Sequence, residues 1–133
     1  MSLAVLDASI LTVFYASDDS RRSTVASRLA AGDAWFAPAH LDAEVASALR
    51  RLARTSRAVD RAAPRALAHL AAFPLRRMPI APLLERVWQL RSNVTAYDAA
   101  YVALAEQLGC ALVTCDAKLA AASGPRCAFE LIT

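Results

Sequence analysis

The chain has 133 residues, of which 57% are hydrophobic and 20% charged, with only three glycines. That is enough apolar material for one packed core, and it excludes a disordered, collagen-like or low-complexity polypeptide. No run free of charged side chains exceeds ten residues, about half a membrane span, and a net charge of +3 is too mild to identify a polyanionic partner by itself.

The amino terminus has no basic leader, and Asp7 interrupts its apolar run. Neither a secretion signal nor a lipid anchor is expected, and the sequence reads as a single soluble, cytoplasmic domain over residues 1–133 with no membrane partner.

Leu3 to Leu6 reads as a short buried strand ending at Asp7, followed by a helix from Ser9 to about Ala16. Ser20 or Ser23 can cap a second helix that stops at Gly32. Trp35 to Ala37 is the next strand, and Pro38 suits the first turn of a long helix. That helix carries Leu41, Val45, Ala48, Leu49 and Leu52 at helical spacing and ends near Arg57. Asp60 can cap a further helix through Phe73, with Pro64 acceptable only in its opening turn. Arg77 to Ile80 is a third strand. Pro82 opens a helix toward Arg91 in which Leu84, Val87, Trp88 and Leu90 read as core. Thr95 to Leu108 is helical and closes at Gly109. Ala111 to Thr114 is a fourth strand, Ala117 to Ala122 a short helix and Phe129 to Ile132 a last strand.

Strands that alternate with helices, and are short and apolar enough to be buried on both faces, predict an α/β sandwich with a mainly parallel sheet. The thirty-two alanines suit helices packed closely on it. In such sheets ligands sit beyond the carboxyl ends of the strands, so that edge is where chemistry is expected.

Cys110, Cys115 and Cys127 are odd in number and lack CxxC spacing, which predicts reduced thiols rather than disulfides or a zinc knuckle. His40 and His69 stand isolated in the sequence, so any chemistry should run on carboxylates. Asp7 follows the first strand, Asp116 follows the fourth by one residue, and Glu44 lies early in the helix after the second strand. These three should share the carboxyl edge. Asp98 begins the helix before the fourth strand, and topology as read here does not guarantee its arrival.

Each acid also has an ordinary explanation. Asp7 and Asp116 could be helix caps, Asp98 imitates a capping box with Thr95, and Glu44 could be a surface residue favoured by the helix dipole. Together these explain less well, because acids beside buried faces are expensive unless a cation compensates them. Four convergent carboxylates call for a divalent ion, and oxygen-only ligands select Mg²⁺ or Mn²⁺. That is a phosphodiester-cleaving arrangement.

Four segments in order, Val5-Leu6-Asp7-Ala8-Ser9, Pro38 to Arg51 with Glu44, Tyr97-Asp98-Ala99-Ala100-Tyr101 and Leu112 to Leu119 with Asp116, resemble the PIN-domain family, and within it the VapC-type ribonuclease toxins of bacterial toxin–antitoxin pairs. The resemblance implies a three-layer α/β/α sandwich of about five strands ordered 3-2-1-4-5, and it implies that Asp98 joins the acidic quartet. By position Asp7, Glu44, Asp98 and Asp116 correspond to the metal-binding and catalytic acids, and Ser9 and Thr114 to small polar residues that support them. A homodimer, a cognate antitoxin and an RNA substrate are likewise implied. The stretch from Arg57 to Leu75 carries no family signature.

The expected reaction is Mg²⁺- or Mn²⁺-dependent hydrolysis of RNA. Arg51, seven residues beyond Glu44 on the same helix face and roughly 10 Å along the axis, is the candidate RNA contact; its alternative role is a solubilising surface residue. Arg50, Arg51, Arg54, Arg57, Arg61 and Arg65, opposed only by Asp60, form either a solvated helix face or a polyanion contact. The rival readings are an inactive RNA- or partner-binding module, and a phosphohydrolase that forms an aspartyl-phosphate on Asp7.

Overall fold

The computed structural model describes residues 2–133. Its elements in the described residues are β1 (Leu3–Leu6), α1 (Ala8–Tyr15), α2 (Arg22–Leu29), β2 (Ala34–Pro38), α3 (Leu41–Ala53), α4 (Arg57–Ala71), β3 (Leu75–Met78), α5 (Leu84–Gln89), α6 (Ala96–Leu108), β4 (Ala111–Thr114), α7 (Ala117–Ala120) and β5 (Phe129–Leu131). A single 3-10 turn, Ala81–Leu83, leads into α5. All strand pairs are parallel, and the order across the sheet is β3-β2-β1-β4-β5. No helix among the described residues is long and apolar enough to cross a membrane.

The central strands explain the apolar runs in the sequence. Ala4, Val5 and Leu6 in β1, and Leu112, Val113 and Thr114 in β4, are buried one after another. Successive side chains point to opposite faces, so both faces of the sheet are covered by helices. The cover on one side is α6, which packs on β1, β2 and β4 and is itself covered by α5. Ala99 through Ala105 of α6 are all buried, and its four alanines in that stretch allow the close approach that being enclosed requires. Gly109 ends α6 with φ +65°, a left-handed residue that costs least as glycine.

The length of α6 decides where its first turn lies. Thirteen residues rise about 20 Å, whereas a four-residue strand such as β4 covers about 13 Å. A helix that feeds β4 at the amino edge of the sheet therefore begins beyond the carboxyl edge. Asp98 thus reaches the same edge as Asp7 and Asp116, which the sequence alone left open.

Several local expectations are corrected. Pro38 is the last residue of β2, not the start of a helix; it has no amide to donate, and the ladder continues through the Ala39 N–H to the Met78 carbonyl at 2.8 Å. The long helix ends at Ala53, and Ser56 rather than Asp60 caps α4, accepting from the Val59 N–H at 3.2 Å. Pro64 consequently stands well inside α4, on an exposed face where water can satisfy the carbonyl its ring releases. Neither Ser20 nor Ser23 caps α2, which begins after Arg21 without a side-chain cap. β3 lies two residues earlier than expected and stops before Pro79. In α5 only Val87, with Leu90 just after it, enters the core; Leu84 and Trp88 are 55% and 67% exposed, because a helix this short buries a single narrow stripe.

Candidate active site

Beyond the carboxyl ends of β1, β2 and β4 opens a cavity of about 820 Å³ whose lining includes Asp7, Glu44, Asp98 and Asp116. Its floor is Asp7, which leaves β1 and caps α1 and is only 4% exposed. Its Oδ1 accepts from the Ser9 N–H at 3.1 Å, the Ser9 hydroxyl at 2.5 Å and the Ile10 N–H at 3.4 Å. Its Oδ2 accepts from the Thr114 hydroxyl at 2.5 Å. Burial pushes the Asp7 carboxyl up to about 6; the Ser9, Thr114 and Ile10 donors oppose that rise, and the nearby charge of Asp98 adds to it. No basic side chain forms an ion pair with it among the described residues.

Ser9 and Thr114 tie the ends of two strands together around that carboxylate. The Ser9 hydroxyl accepts from the Cys115 N–H at 2.8 Å, and the Thr114 hydroxyl from the Asp116 N–H at 2.9 Å. Each hydroxyl therefore donates to Asp7 and accepts from the loop after β4. Both supporting residues have defined partners, and Asp116 is anchored through one of them.

Asp116 caps α7, its Oδ1 accepting from the N–H groups of Lys118 and Leu119 at 3.0 and 3.1 Å. That leaves Oδ2 uncommitted. Asp98 sits in the first turn of α6, held by its own N–H to the Thr95 hydroxyl at 3.2 Å. Its carboxylate makes no ion pair among the described residues, and the neighbouring Thr95 hydroxyl is a hydrogen-bond donor that favours its charged form. Burial, and then the charges of Asp116 and Glu44, raise its pKa above the usual carboxylate range.

Glu44 is restrained instead. Its Oε1 accepts from the Tyr101 hydroxyl at 2.6 Å and lies 3.2 Å from His40 Nε2. Burial alone would push it up, but the hydrogen bonds from His40 and Tyr101 and the attraction of His40 outweigh that and hold it below its ordinary value. His40 Nε2 also lies 3.1 Å from the Tyr97 carbonyl oxygen. Both neighbours are acceptors, so Nε2 carries the proton. His40 and Tyr101 thus clamp one oxygen of Glu44 and leave the other free. The sequence reading passed over both. The signal available was the His40–Glu44 spacing of four, which puts the pair on one helix face.

Arg51 is exposed and lines the same cavity, with no carboxylate partner among the described residues. Arg21 lines it as well, its guanidinium on Asp19 at 2.9 Å, a contact the sequence did not suggest.

The donor set fits a hard divalent cation in kind: four carboxylates with supporting hydroxyls, none of the four paired with an arginine or lysine among the described residues, and Cys115 the one thiol on the lining. The fit in position is looser. Among the described residues no three His, Cys, Asp or Glu side chains stand close enough together to hold a metal ion as placed. The acids share one cavity but not one ligand sphere, an arrangement that reduces their mutual repulsion. Among the described residues, one oxygen of Asp116 has no hydrogen bond and Asp98 no ion pair that fixes it away from Asp7.

The fold and the sequence have close counterparts. The PIN domain family model matches residues 4–125. A VapC ribonuclease of Mycobacterium bovis is 38% identical over 130 residues, covering 98% of both chains. The chain belongs to the PIN-domain family, and within it to the VapC-type ribonucleases. Among solved structures, VapC20 of Mycobacterium tuberculosis, described as a sarcin-ricin loop cleaving toxin, superposes with a TM-score of 0.70 at 20% identity, covering 89% of this chain and 93% of that one. VapBC2 of Rickettsia felis, a complex bound to a fragment of its promoter DNA, gives a TM-score of 0.68 at 14% identity, covering 98% of this chain and 99% of that one. At those identities the structures speak for the PIN fold. VapC nucleases are in general dependent on divalent metals, and VapC toxins pair with VapB antitoxins.

Proposed function

We propose that this VapC-type chain is an Mg²⁺- or Mn²⁺-dependent endoribonuclease and the cytoplasmic toxin of a toxin–antitoxin pair, in which Asp7, Glu44, Asp98 and Asp116 form the catalytic centre. The supporting observation is that four carboxylates from four separate elements line one cavity, with Asp7 and Asp98 both pushed up by burial and like charge.

A divalent ion bound there would supply Lewis acidity, both for a water nucleophile and for charge developing on the phosphate and the leaving oxygen. Asp7, Asp98 and Asp116 would hold it. Glu44, with one oxygen clamped by His40 and Tyr101, presents the other to orient the attacking water. Ser9 and Thr114 fix the carboxylate of Asp7 in place. Arg51, on the same lining, contacts the RNA backbone beside the reacting phosphate. The burial of Asp7 beneath four donated hydrogen bonds disfavours the rival in which it attacks phosphorus itself. The chain acts as a homodimer, and a cognate antitoxin silences it.

The test is cleavage of RNA by the purified chain with Mn²⁺, with chelator, and as the Asp7→Asn variant. Cleavage lost in the last two, with 3′-hydroxyl and 5′-phosphate ends, is the expected result. Full activity in Asp7→Asn, or 2′,3′-cyclic phosphate ends, would overturn it, since the cyclic product needs no water nucleophile.

A further inference from the structure

We propose that the outer face of the α3–α4 hairpin is a second RNA-binding track, separate from the catalytic cavity, which engages the phosphate backbone of a long RNA. The proposal rests on the ribonuclease reading above. Arg50, Arg54, Arg57, Arg61 and Arg65 are all exposed. None forms an ion pair or side-chain hydrogen bond among the described residues, whereas Arg21, Arg28, Arg77 and Arg86 each hold a carboxylate. Where the fold uses arginine for its own cohesion, acids are supplied; from Arg50 to Arg65 the one acid is Asp60, and it makes no ion pair among the described residues.

The pattern on the helices is regular. In α4 the buried residues Val59, Ala66 and Leu70 define the inner stripe. At 100° per residue, Arg57, Arg61 and Arg65 project from the opposite side. They follow one another at intervals of four, about 6 Å apart along the axis, a spacing comparable with that of phosphates on an extended strand. In α3 the inner stripe is Leu41, Val45 and Leu49. Arg50 and Arg54 fall on its outer ridge, while Glu44, Ala48 and Arg51 face the cavity. The ridge therefore lies between the cavity and the arginines of α4. Arg77 fixes the hairpin in this arrangement, bonding Asp42 at the start of α3 (2.7 Å) and the Leu70 carbonyl at the end of α4 (2.6 Å).

The charge on the two surfaces is opposite in sign. The cavity concentrates carboxylates, which by themselves repel RNA; the hairpin concentrates unpaired guanidinium groups that attract it and carry no sequence information. A long RNA crossing from the hairpin into the cavity gains phosphate contacts that a short oligonucleotide cannot reach.

The experiment compares wild type with the triple variant Arg57→Ala, Arg61→Ala and Arg65→Ala, none of which lines the cavity. Two substrates are used with Mn²⁺: a long RNA, and a short oligonucleotide containing only its mapped cleavage site. For the long RNA, KM should rise about tenfold, and the log–log salt slope should become shallower by about 2, three contacts at roughly 0.7 each. For the short oligonucleotide kcat/KM should stay unchanged. Replacing the three arginines with lysine should keep the wild-type slope. Long-RNA kinetics and slope unchanged in the alanine variant would overturn the track and return the face to plain solvation. Equal losses on both substrates would overturn it too. Unchanged RNA kinetics with lost binding of polyglutamate would assign the face to an acidic protein segment instead. Salt-dependent binding of the long RNA in chelator reads the track without any cleavage, so a failure of the nuclease reading is distinguishable from a failure of this one.

Discussion

Holding a carboxylate with almost no solvent contact is unfavourable when it ionises, and Asp7 is in that position. Its folded-state pKa is about 6 against 3.8 ordinarily, so in the metal-free protein the folded state keeps its proton where the unfolded chain has released it. Between those values the native state binds more protons than the unfolded state, and stability falls as pH rises through that window. The full difference is about 3 kcal/mol by linkage. Asp7→Asn, which cannot ionise, is therefore expected to be more stable than wild type at pH 7 in chelator by about 1–3 kcal/mol, measured by urea denaturation. The two proteins should converge near pH 4, and Mn²⁺ should stabilise only the wild type. A variant less stable than wild type at pH 7 would show that the carboxylate's hydrogen bonds outweigh its burial. The Glu44 clamp makes a second residue-scale prediction. Tyr101→Phe removes one donor to that carboxylate and should cost about 1–2 kcal/mol. A double-mutant cycle with Glu44→Gln should return most of that as coupling energy, and calorimetry should show weaker Mn²⁺ binding. Zero coupling would mean that Tyr101 acts only through packing.

Helix ends carry much of the site, so disturbing an end should disturb the chemistry. Thr95 caps α6 through the Asp98 N–H; Thr95→Ala should cost about 1 kcal/mol of stability and reduce kcat as the first turn loosens around Asp98. Thermal melts and single-turnover kinetics together check both effects. Pro64 within α4 has the opposite expectation. It removes a helical hydrogen bond, and Pro64→Ala should stabilise the chain by about 2 kcal/mol, less whatever rigidity proline gives the unfolded state. A lower melting temperature would show that the rigidity proline gives the unfolded chain outweighs the hydrogen bond it removes. The sequence misread this helix because Asp60 and Pro64 together imitate an N-terminus, while Ser56, the residue that does cap it, stands at the end of a run that reads as continuous helix. Local capping signals compete, and packing of Val59 against the core decides between them.

At the scale of the molecule, the sheet was legible because its central strands are short, apolar and followed by acids or turns, a pattern few other arrangements of parallel strands produce. The order of the strands came from the family resemblance and not from periodicity. Asp98 was the hardest acid to place, since only the length of α6 relative to β4 shows that a helix leading into a strand must start at the far edge. His40 and Tyr101 were missed for a different reason: they act on Glu44 rather than beside it, and a search for ligands passes over side chains whose partners are other side chains. Exposed Trp88 was misassigned because an apolar stripe on a six-residue helix looks the same whether one or both of its flanks are buried. If the chain is a homodimer, sedimentation velocity should report a species of twice 14.2 kDa, and a monomer at all concentrations would refute that. Two of the acids, finally, have a second employment: Asp7 and Asp116 each start a helix by accepting backbone N–H groups. A descendant that abandons nuclease work can discard the Asp98 carboxylate with little harm to its architecture. At positions 7 and 116 it should retain an oxygen-bearing side chain, Asn, Ser or Thr, so lineages that have lost the enzyme should still bear the imprint of where it was.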